Sequence, residues 1–237
     1  VSDGSELMNL GQDPQNASWS LGILGMPGYT AYAGLLKIGN PKRGDTVVVA
    51  AASGPVGATV GQIAKIKGCH VVGIAGGSKK CRHVLNNLGF DACLDHKADD
   101  FSDQLRAACP GGIDIYFENV GGKVLYSVLP LLNPFARIPV CGVASWYNLA
   151  GLPEDLDRGP AIMGTILRMK VKVEGFIIFD SFPKETYQDF IRDMSEWLDD
   201  GKVKFKEQII NGLENAPEAL NDVLLGNSFG KVVIKVA

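Results

Sequence analysis

A chain of 237 residues, 46% hydrophobic and 21% charged, is long enough to bury a sizeable core, as one large domain or one and a half. Its 23 Lys and Arg against 26 Asp and Glu give a net charge of −3, so the overall balance points to neither nucleic acid nor an anionic membrane, and any basic site must be local. Cys69, Cys81, Cys93, Cys109 and Cys141, with three scattered histidines, form no C-x-x-C pair and no zinc-ligand spacing, which reads as reduced thiols without a metal.

Residues 1–20 are rich in Ser, Asp, Asn, Gln and Gly, hold few core candidates beyond Leu7, Met8, Leu10 and Trp19, and read as a connecting segment. The chain opens on Val1 and reads as a piece of a longer protein. No apolar run approaches the roughly 18 residues of a membrane span and no signal peptide is visible, so the cytoplasm is expected. From Leu21 the composition turns apolar, with a short helix expected over Thr30–Ile38 and a stop at Gly39-Asn40-Pro41.

Gly44–Gly68, GDTVVVAAASGPVGATVGQIAKIKG, reads as strand, glycine turn and helix. Thr46–Ala50 is a β-branched and small apolar run suited to a strand buried on both faces of a parallel sheet. The turn Ala52-Ser53-Gly54-Pro55-Val56-Gly57 is an A-x-G-x-x-G variant of the dinucleotide fingerprint, in which Ala52 stands where the first glycine would be. Pro55 suits the first turn of a helix, whose N-terminal amides and dipole favour a phosphate. Gly57, Gly61 and Ala64 form a row of small residues that lets the helix lie close to the sheet.

His70–Ala75 is a second buried strand, closed by Gly76-Gly77. An NAD site usually carries Asp or Glu just past this strand. Here Ser78, Lys79, Lys80 and Arg82 follow, with no carboxylate in sequence until Asp91, and cations at a helix N-terminus attract a 2′-phosphate, so NADP is favoured over NAD.

The alternation continues with a helix over Ser78–Leu88, a strand over Ala92–Asp95, a helix over Asp99–Ala108, a strand over Ile113–Phe117, a helix over Val124–Leu132 and a strand over Ala136–Cys141. After a loop at Ala144–Pro160 come a helix over Ala161–Met169, a strand over Val171–Ile178 and a helix over Lys184–Leu198. This order predicts an α/β fold, a doubly wound parallel sheet of Rossmann type. Ser53–Gly57, Gly76–Lys80, His96, Asn119–Gly122 and Cys141–Tyr147 then fall beyond the carboxyl ends of the strands and should converge on one crevice. After Gly201, a strand near Gln208–Ile210, a helix near Ala216–Leu225 and a strand over Lys231–Val236 leave the repeat and suggest a second domain or its seam.

MPGYTAY at Met26–Tyr32, AASGPVGATVGQIAK at Ala51–Lys65, LGFDA at Leu88–Ala92, ENVGG at Glu118–Gly122, VCGVASWYN at Val140–Asn148, EGFII at Glu174–Ile178, GLENAPEAL at Gly212–Leu220 and GKVVIKV at Gly230–Val236 occur in one order along the chain. Together they resemble the zinc-independent medium-chain dehydrogenase/reductases, in the branch of NADPH-dependent double-bond reductases. The resemblance implies that residues 1–21 end a first segment of a GroES-like catalytic domain, 22–200 form the NADP-binding domain, and 201–237 return to the catalytic domain, most of which would lie N-terminal to this stretch. It implies reduction of the C=C bond of an α,β-unsaturated ketone or aldehyde, with quinone reduction or cofactor binding without turnover as alternatives. It further implies that Gly54, Pro55, Val56 and Gly57 hold the pyrophosphate and that Ser78 and Lys80 meet the 2′-phosphate. His96 would stand where many relatives carry Tyr beside the adenosine. Asn119, Cys141, Gly142, Val143, Tyr147, Phe176, Ile177 and Ile178 would line the nicotinamide half, Thr30 would also touch the cofactor, Asn227 would reach back from the return segment, and Tyr147 would orient the substrate or assist protonation. Cys141 reads as a small apolar residue, not a nucleophile. The implied partners are a small enone and a second copy of the chain paired through the strand at Val171–Ile178, although Lys170, Lys172 and Glu174 equally suit a protected solvent edge.

Overall fold

The computed structural model describes residue 3 and residues 16–150 and 157–236. The core candidates Leu7, Met8 and Leu10, and part of the loop expected over Ala144–Pro160, lie outside the described residues.

Six parallel strands form the main sheet: β1 (Thr46–Val49), β2 (His70–Ala75), β3 (Ala92–Asp95), β4 (Ile113–Phe117), β5 (Leu132–Val140) and β6 (Lys172–Gly175). Their order is β3-β2-β1-β4-β5-β6, so the winding reverses between β1 and β4, where such sheets open a crevice at their carboxyl ends. The alternation of side chains along β1 explains its unbroken apolar sequence. Val47 and Val49 enter one core cluster, Val48 and Ala50 the other, and all four are completely buried.

Helices cover both faces. On one lie α1 (Met26–Ala33), α2 (Pro55–Ile66), α3 (Ser78–Asn86) and α8 (Lys184–Asp199). On the other lie α4 (Phe101–Ala108), α5 (Gly122–Val128) and α6 (Gly159–Met169). Phe190, Met194 and Trp197 of α8 pack into the first cluster, as their spacing on one helical face demands. Tyr32 ties this layer together by donating to Asp193 Oδ2 over 2.6 Å.

Three boundaries differ from the sequence reading. The helix expected at Thr30–Ile38 begins at Met26, with Pro27 in its first turn, and passes at Gly34–Gly39 into a π-helical turn. Gly34 is required there, because a Cβ would stand 3.0 Å from the Phe117 ring and collide with that of Phe176. The helix expected to reach Leu132 stops at Val128, runs on as a 3-10 turn to Leu131, and hands over to a longer β5; Phe135 adopts φ 65°, and the pairing of β4 with β5 shifts register between Ile113 and Ile115. The strand expected over Val171–Ile178 ends at Gly175. Phe176 turns inward, edge-on to Phe117 and Phe182, and a short α7 (Ile178–Ser181) follows.

β7 (Glu207–Asn211) and β8 (Lys231–Lys235) form a separate parallel pair, joined by α9 (Ala216–Leu224). This segment left the main repeat as expected, yet it is itself a strand-helix-strand unit. Its seam with the sheet domain combines hydrogen bonds with an aromatic contact. The Gln62 side chain donates to the Lys204 carbonyl and accepts from the Lys204 amide, both at 2.8 Å. Ser18 Oγ donates to Glu207 Oε2 at 2.9 Å, and the Trp19 and Phe205 rings meet edge to face with centroids 5.1 Å apart.

Candidate functional site

The glycine turn carries β1 into α2. Of its positions, Gly57 has the firmest steric reason: a Cβ there would collide with the Ala51 carbonyl oxygen and stand 2.9 Å from its carbon and 3.0 Å from Ala52 Cα. Gly54 is the extended N-cap of α2 and Pro55 its first residue, whose missing N–H costs no helical bond. The left-handed turn that a first glycine would make falls on Ala51, at φ 52°, while Ala52 is fully buried. Gly61 faces Phe90, whose ring occupies the space a Cβ would need. The first turn of α2 is thus held close to the carboxyl end of β1, where its free amides favour an anion.

The second turn follows β2. Gly77, at φ 90°, precedes α3, where Ser78 is exposed and Lys80 half-buried. Lys80 Nζ donates to the Gly226 carbonyl at 2.7 Å, so the return segment reaches this turn. Burial and the charge of Lys97 both hold the Lys80 ammonium below its ordinary pKa. Asp95, at the end of β3 and paired in register with Ala75, brings a carboxylate here that the spacing after β2 did not reveal. It accepts the backbone N–H groups of Gly77 and Lys97, which hold it below the usual carboxylate pKa. His96 Nε2 would stand 3.1 Å from a Cβ on Gly76 and Lys97 Cε 3.6 Å from it, so both side chains lie over the turn. Burial lowers the His96 pKa, and Lys97, Lys123 and Lys80 add to this against the opposing charge of Asp95. Lys97 and Lys123 were not singled out in the sequence; the pairing of β3 with β2 brings Lys97 to this turn, and the charge of Lys123 on α5 reaches His96.

Around the ends of β4 and β5 the chain builds a wall. Glu118 is buried at 2% exposure, and its Oε1 accepts from the Val120 amide at 2.6 Å, the Gly121 amide at 2.8 Å and the Tyr116 hydroxyl at 3.0 Å. Its Oε2 is buried without a partner. Burial raises the Glu118 pKa against those donors, and raises the Cys141 thiol to about 12, with the Glu118 charge adding to the effect. Asn119 donates to the Ala50 carbonyl at 2.8 Å and accepts the Cys141 thiol at 2.8 Å, joining the ends of β1, β4 and β5. The loop Gly142–Tyr147 lies on this turn: the Ala144 amide donates to Asn119 O, the Ser145 amide and hydroxyl to Val120 O. Tyr147 is 61% exposed, with its hydroxyl 3.3 Å from where a Cβ on Gly142 would sit.

Cys141, Gly142 and Val143 share an open groove with Phe176, Ile177 and Ser181. Within it Ile177 is exposed, whereas Phe176 and Ile178 are core residues at 7% and 6% exposure, so they support the groove more than they face it. Thr30 Oγ1 donates to the Met26 carbonyl on its own helix. Asn227 lies beside Gly226 and therefore near Lys80, but its side chain donates to Asp222 Oδ1 at 3.3 Å.

With this geometry in place, the comparisons are specific. The family described as zinc-binding dehydrogenase matches residues 55–196. The chain is 59% identical to the NADPH-dependent curcumin reductase of Escherichia coli over its whole length, which is 68% of that protein. It is 42% identical to prostaglandin reductase 1 of Oryctolagus cuniculus, covering 98% of this chain and 66% of that one. The crystal structure of CurA from Vibrio vulnificus in complex with NADPH superposes with a TM-score of 0.95 at 54% identity, covering all of this chain and 70% of CurA. The chain belongs to the medium-chain dehydrogenase/reductases, in their zinc-independent double-bond reductase branch. It spans about two thirds of the length of the curated relatives it matches, 68% and 64% for the first two. Among the described residues no helix is long and apolar enough to cross a membrane.

Proposed function

We propose that this medium-chain dehydrogenase/reductase chain is the cofactor-binding part of an NADPH-dependent oxidoreductase that reduces the C=C bond of α,β-unsaturated ketones and aldehydes. The observation that carries the reading is the meeting, at one end of the sheet, of a glycine turn whose Gly57 lets the start of α2 lie against the Ala51 backbone and a lysine-bearing turn whose carboxylate, Asp95, accepts backbone amides. Those residues fit a dinucleotide with a 2′-phosphate. The cofactor of CurA, and the names of the curcumin and prostaglandin reductases, support the same cofactor and bond type.

In this reading the amides around Gly54, Pro55, Val56 and Gly57 hold the pyrophosphate, and Ser78 and Lys80 take the 2′-phosphate. His96, neutral because it is buried among cations, packs at the adenosine. The groove at Cys141, Gly142, Val143 and Ile177 receives the nicotinamide half, with Asn119 bracing it from below, while Thr30 and Asn227 lie at the margins. Bound NADPH supplies the hydride that adds to the β-carbon. Tyr147 would donate a hydrogen bond to the carbonyl oxygen as negative charge develops on it, and the α-carbon of the resulting enolate would take its proton from solvent water. Residues 22–200 serve as the cofactor domain, and 201–237 fold back on it. The edge strand β6 is the surface through which two copies pair.

The test is titration of the chain with NADPH and NADH, by calorimetry and cofactor fluorescence, beside Lys80→Ala. NADPH should bind at least about tenfold more tightly, since a charge-assisted contact is worth roughly 1.5–3 kcal/mol, and the variant should erase most of that preference. The chain alone should turn enones over poorly. Equal affinity for the two cofactors would overturn the cofactor assignment, and turnover matching a full-length relative would overturn the assignment to a part.

A further inference from the structure

The turn after β2 holds more positive charge than Lys80 alone can explain. Lys80 stands on α3 and the exposed Lys97 in the turn after β3, and the Lys97 charge pushes protons off Lys80. Like charges placed together are unfavourable unless an anion lies between them. Among the described residues neither has an ion-pair partner. The nearest carboxylate, Asp95, accepts the amide of Gly77 and that of Lys97 itself, at 3.0 Å for the latter. Asp95 thus clamps the turn after β2 to the turn after β3, and its charge partly offsets that of Lys97, while the Lys80 ammonium has no carboxylate within ion-pair distance among the described residues.

We infer that Lys97 is a second cation for the cofactor's 2′-phosphate, held across the Gly76-Gly77 turn from Lys80 by the Asp95 clamp. The inference rests on the NADPH reading above. Three features favour this role over that of a solvated surface lysine. Its Cε lies 3.6 Å from where a Gly76 Cβ would stand, so the stem runs over the turn instead of away from it. The absent Cβ of Gly76 leaves room for His96 and Lys97 together. And one of the three Lys80 donors is already committed to the Gly226 carbonyl, which leaves it fewer for a phosphate with three acceptor oxygens.

The experiment compares wild type, Lys97→Met, Lys80→Met and the double variant for binding of NADPH, NADH and adenosine 2′-monophosphate by calorimetry at low salt. Methionine keeps the apolar stem and removes the charge. Lys97→Met should weaken NADPH and adenosine 2′-monophosphate by about tenfold, as for loss of one charge-assisted bond, and change NADH less than twofold. The double variant should retain no preference for NADPH, and added salt should weaken wild-type binding more steeply than binding to either variant. If Lys97→Met binds NADPH like wild type while Lys80→Met does not, Lys97 is a surface lysine and the inference fails with the NADPH reading intact. If wild type itself shows no preference for NADPH, both fail. Equal losses for NADPH and NADH in Lys97→Met would mean that the turn has been distorted, which also refutes a phosphate-specific role.

Discussion

Gly57→Ala tests whether the cradle works through close backbone approach. The new methyl would lie 2.9 Å from the Ala51 carbonyl carbon and closer still to its oxygen, all backbone that cannot swing aside. Restoring an ordinary carbon contact of ~3.5 Å moves the start of α2 away from β1 by at least about 0.6 Å. Overpacking of that kind costs about 1–3 kcal/mol, and the gain of roughly 0.5–1 kcal/mol from placing Ala in a helix offsets only part of it. A net loss of about 1–2 kcal/mol in a domain of this size lowers Tm by roughly 2–8 °C. The same shift withdraws the amides that would hold the pyrophosphate, common to both dinucleotides, so NADPH and NADH should weaken by the same factor, about tenfold for one lost charge-assisted bond. Gly61→Ala is the matched control. Its methyl would enter the Phe90 ring, on the same helix but facing the core, so it should lower Tm and leave cofactor affinity per folded molecule unchanged. Thermal melts and calorimetric titrations on the two variants decide the matter. A Gly57→Ala protein with wild-type Tm and affinity would refute the argument, as would selective loss of NADPH alone.

Two further outcomes concern the wall of the crevice. Burial raises the Glu118 pKa above its ordinary 4.5, so the folded chain binds this proton more tightly than the unfolded one. Its contribution to stability therefore falls as pH rises from about 4.5 through the folded value; Glu118→Gln, which keeps an acceptor for the Val120 and Gly121 amides, should flatten that decline in denaturant melts across pH 4–8. A wild-type minus variant difference that does not vary with pH would contradict the raised pKa. Cys141, with its thiol at about 12, should resist iodoacetamide at pH 7.5 in the folded chain and react only on unfolding; rapid alkylation seen by peptide mass spectrometry would show a thiolate that this environment should not permit.

The strand-helix alternation, the glycine turn and the choice of cations over a carboxylate after β2 were legible in the sequence because each is set by neighbours along the chain: side-chain period, turn stereochemistry, and the next few residues after a strand. Boundaries were less so. Phe176 carries the same β-favouring character as its neighbours, yet it leaves the strand because Gly34 and Phe117, distant in sequence, and the nearby Phe182 form a pocket for its ring. The site divides in the same way. Gly57 could be named from its motif, since its requirement is a contact with Ala51, six residues away. Asp95 and Lys97 could not be assigned to the Gly76-Gly77 turn until the pairing of β2 with β3 set Ala75 beside Asp95. The sequence alone determined which chemistry the crevice can offer, because that depends on residue types at strand ends. Which charges face one another across it, and which are already satisfied by backbone amides, was decided by the order β3-β2-β1-β4-β5-β6, since only sheet pairing brings those ends within a hydrogen bond of each other.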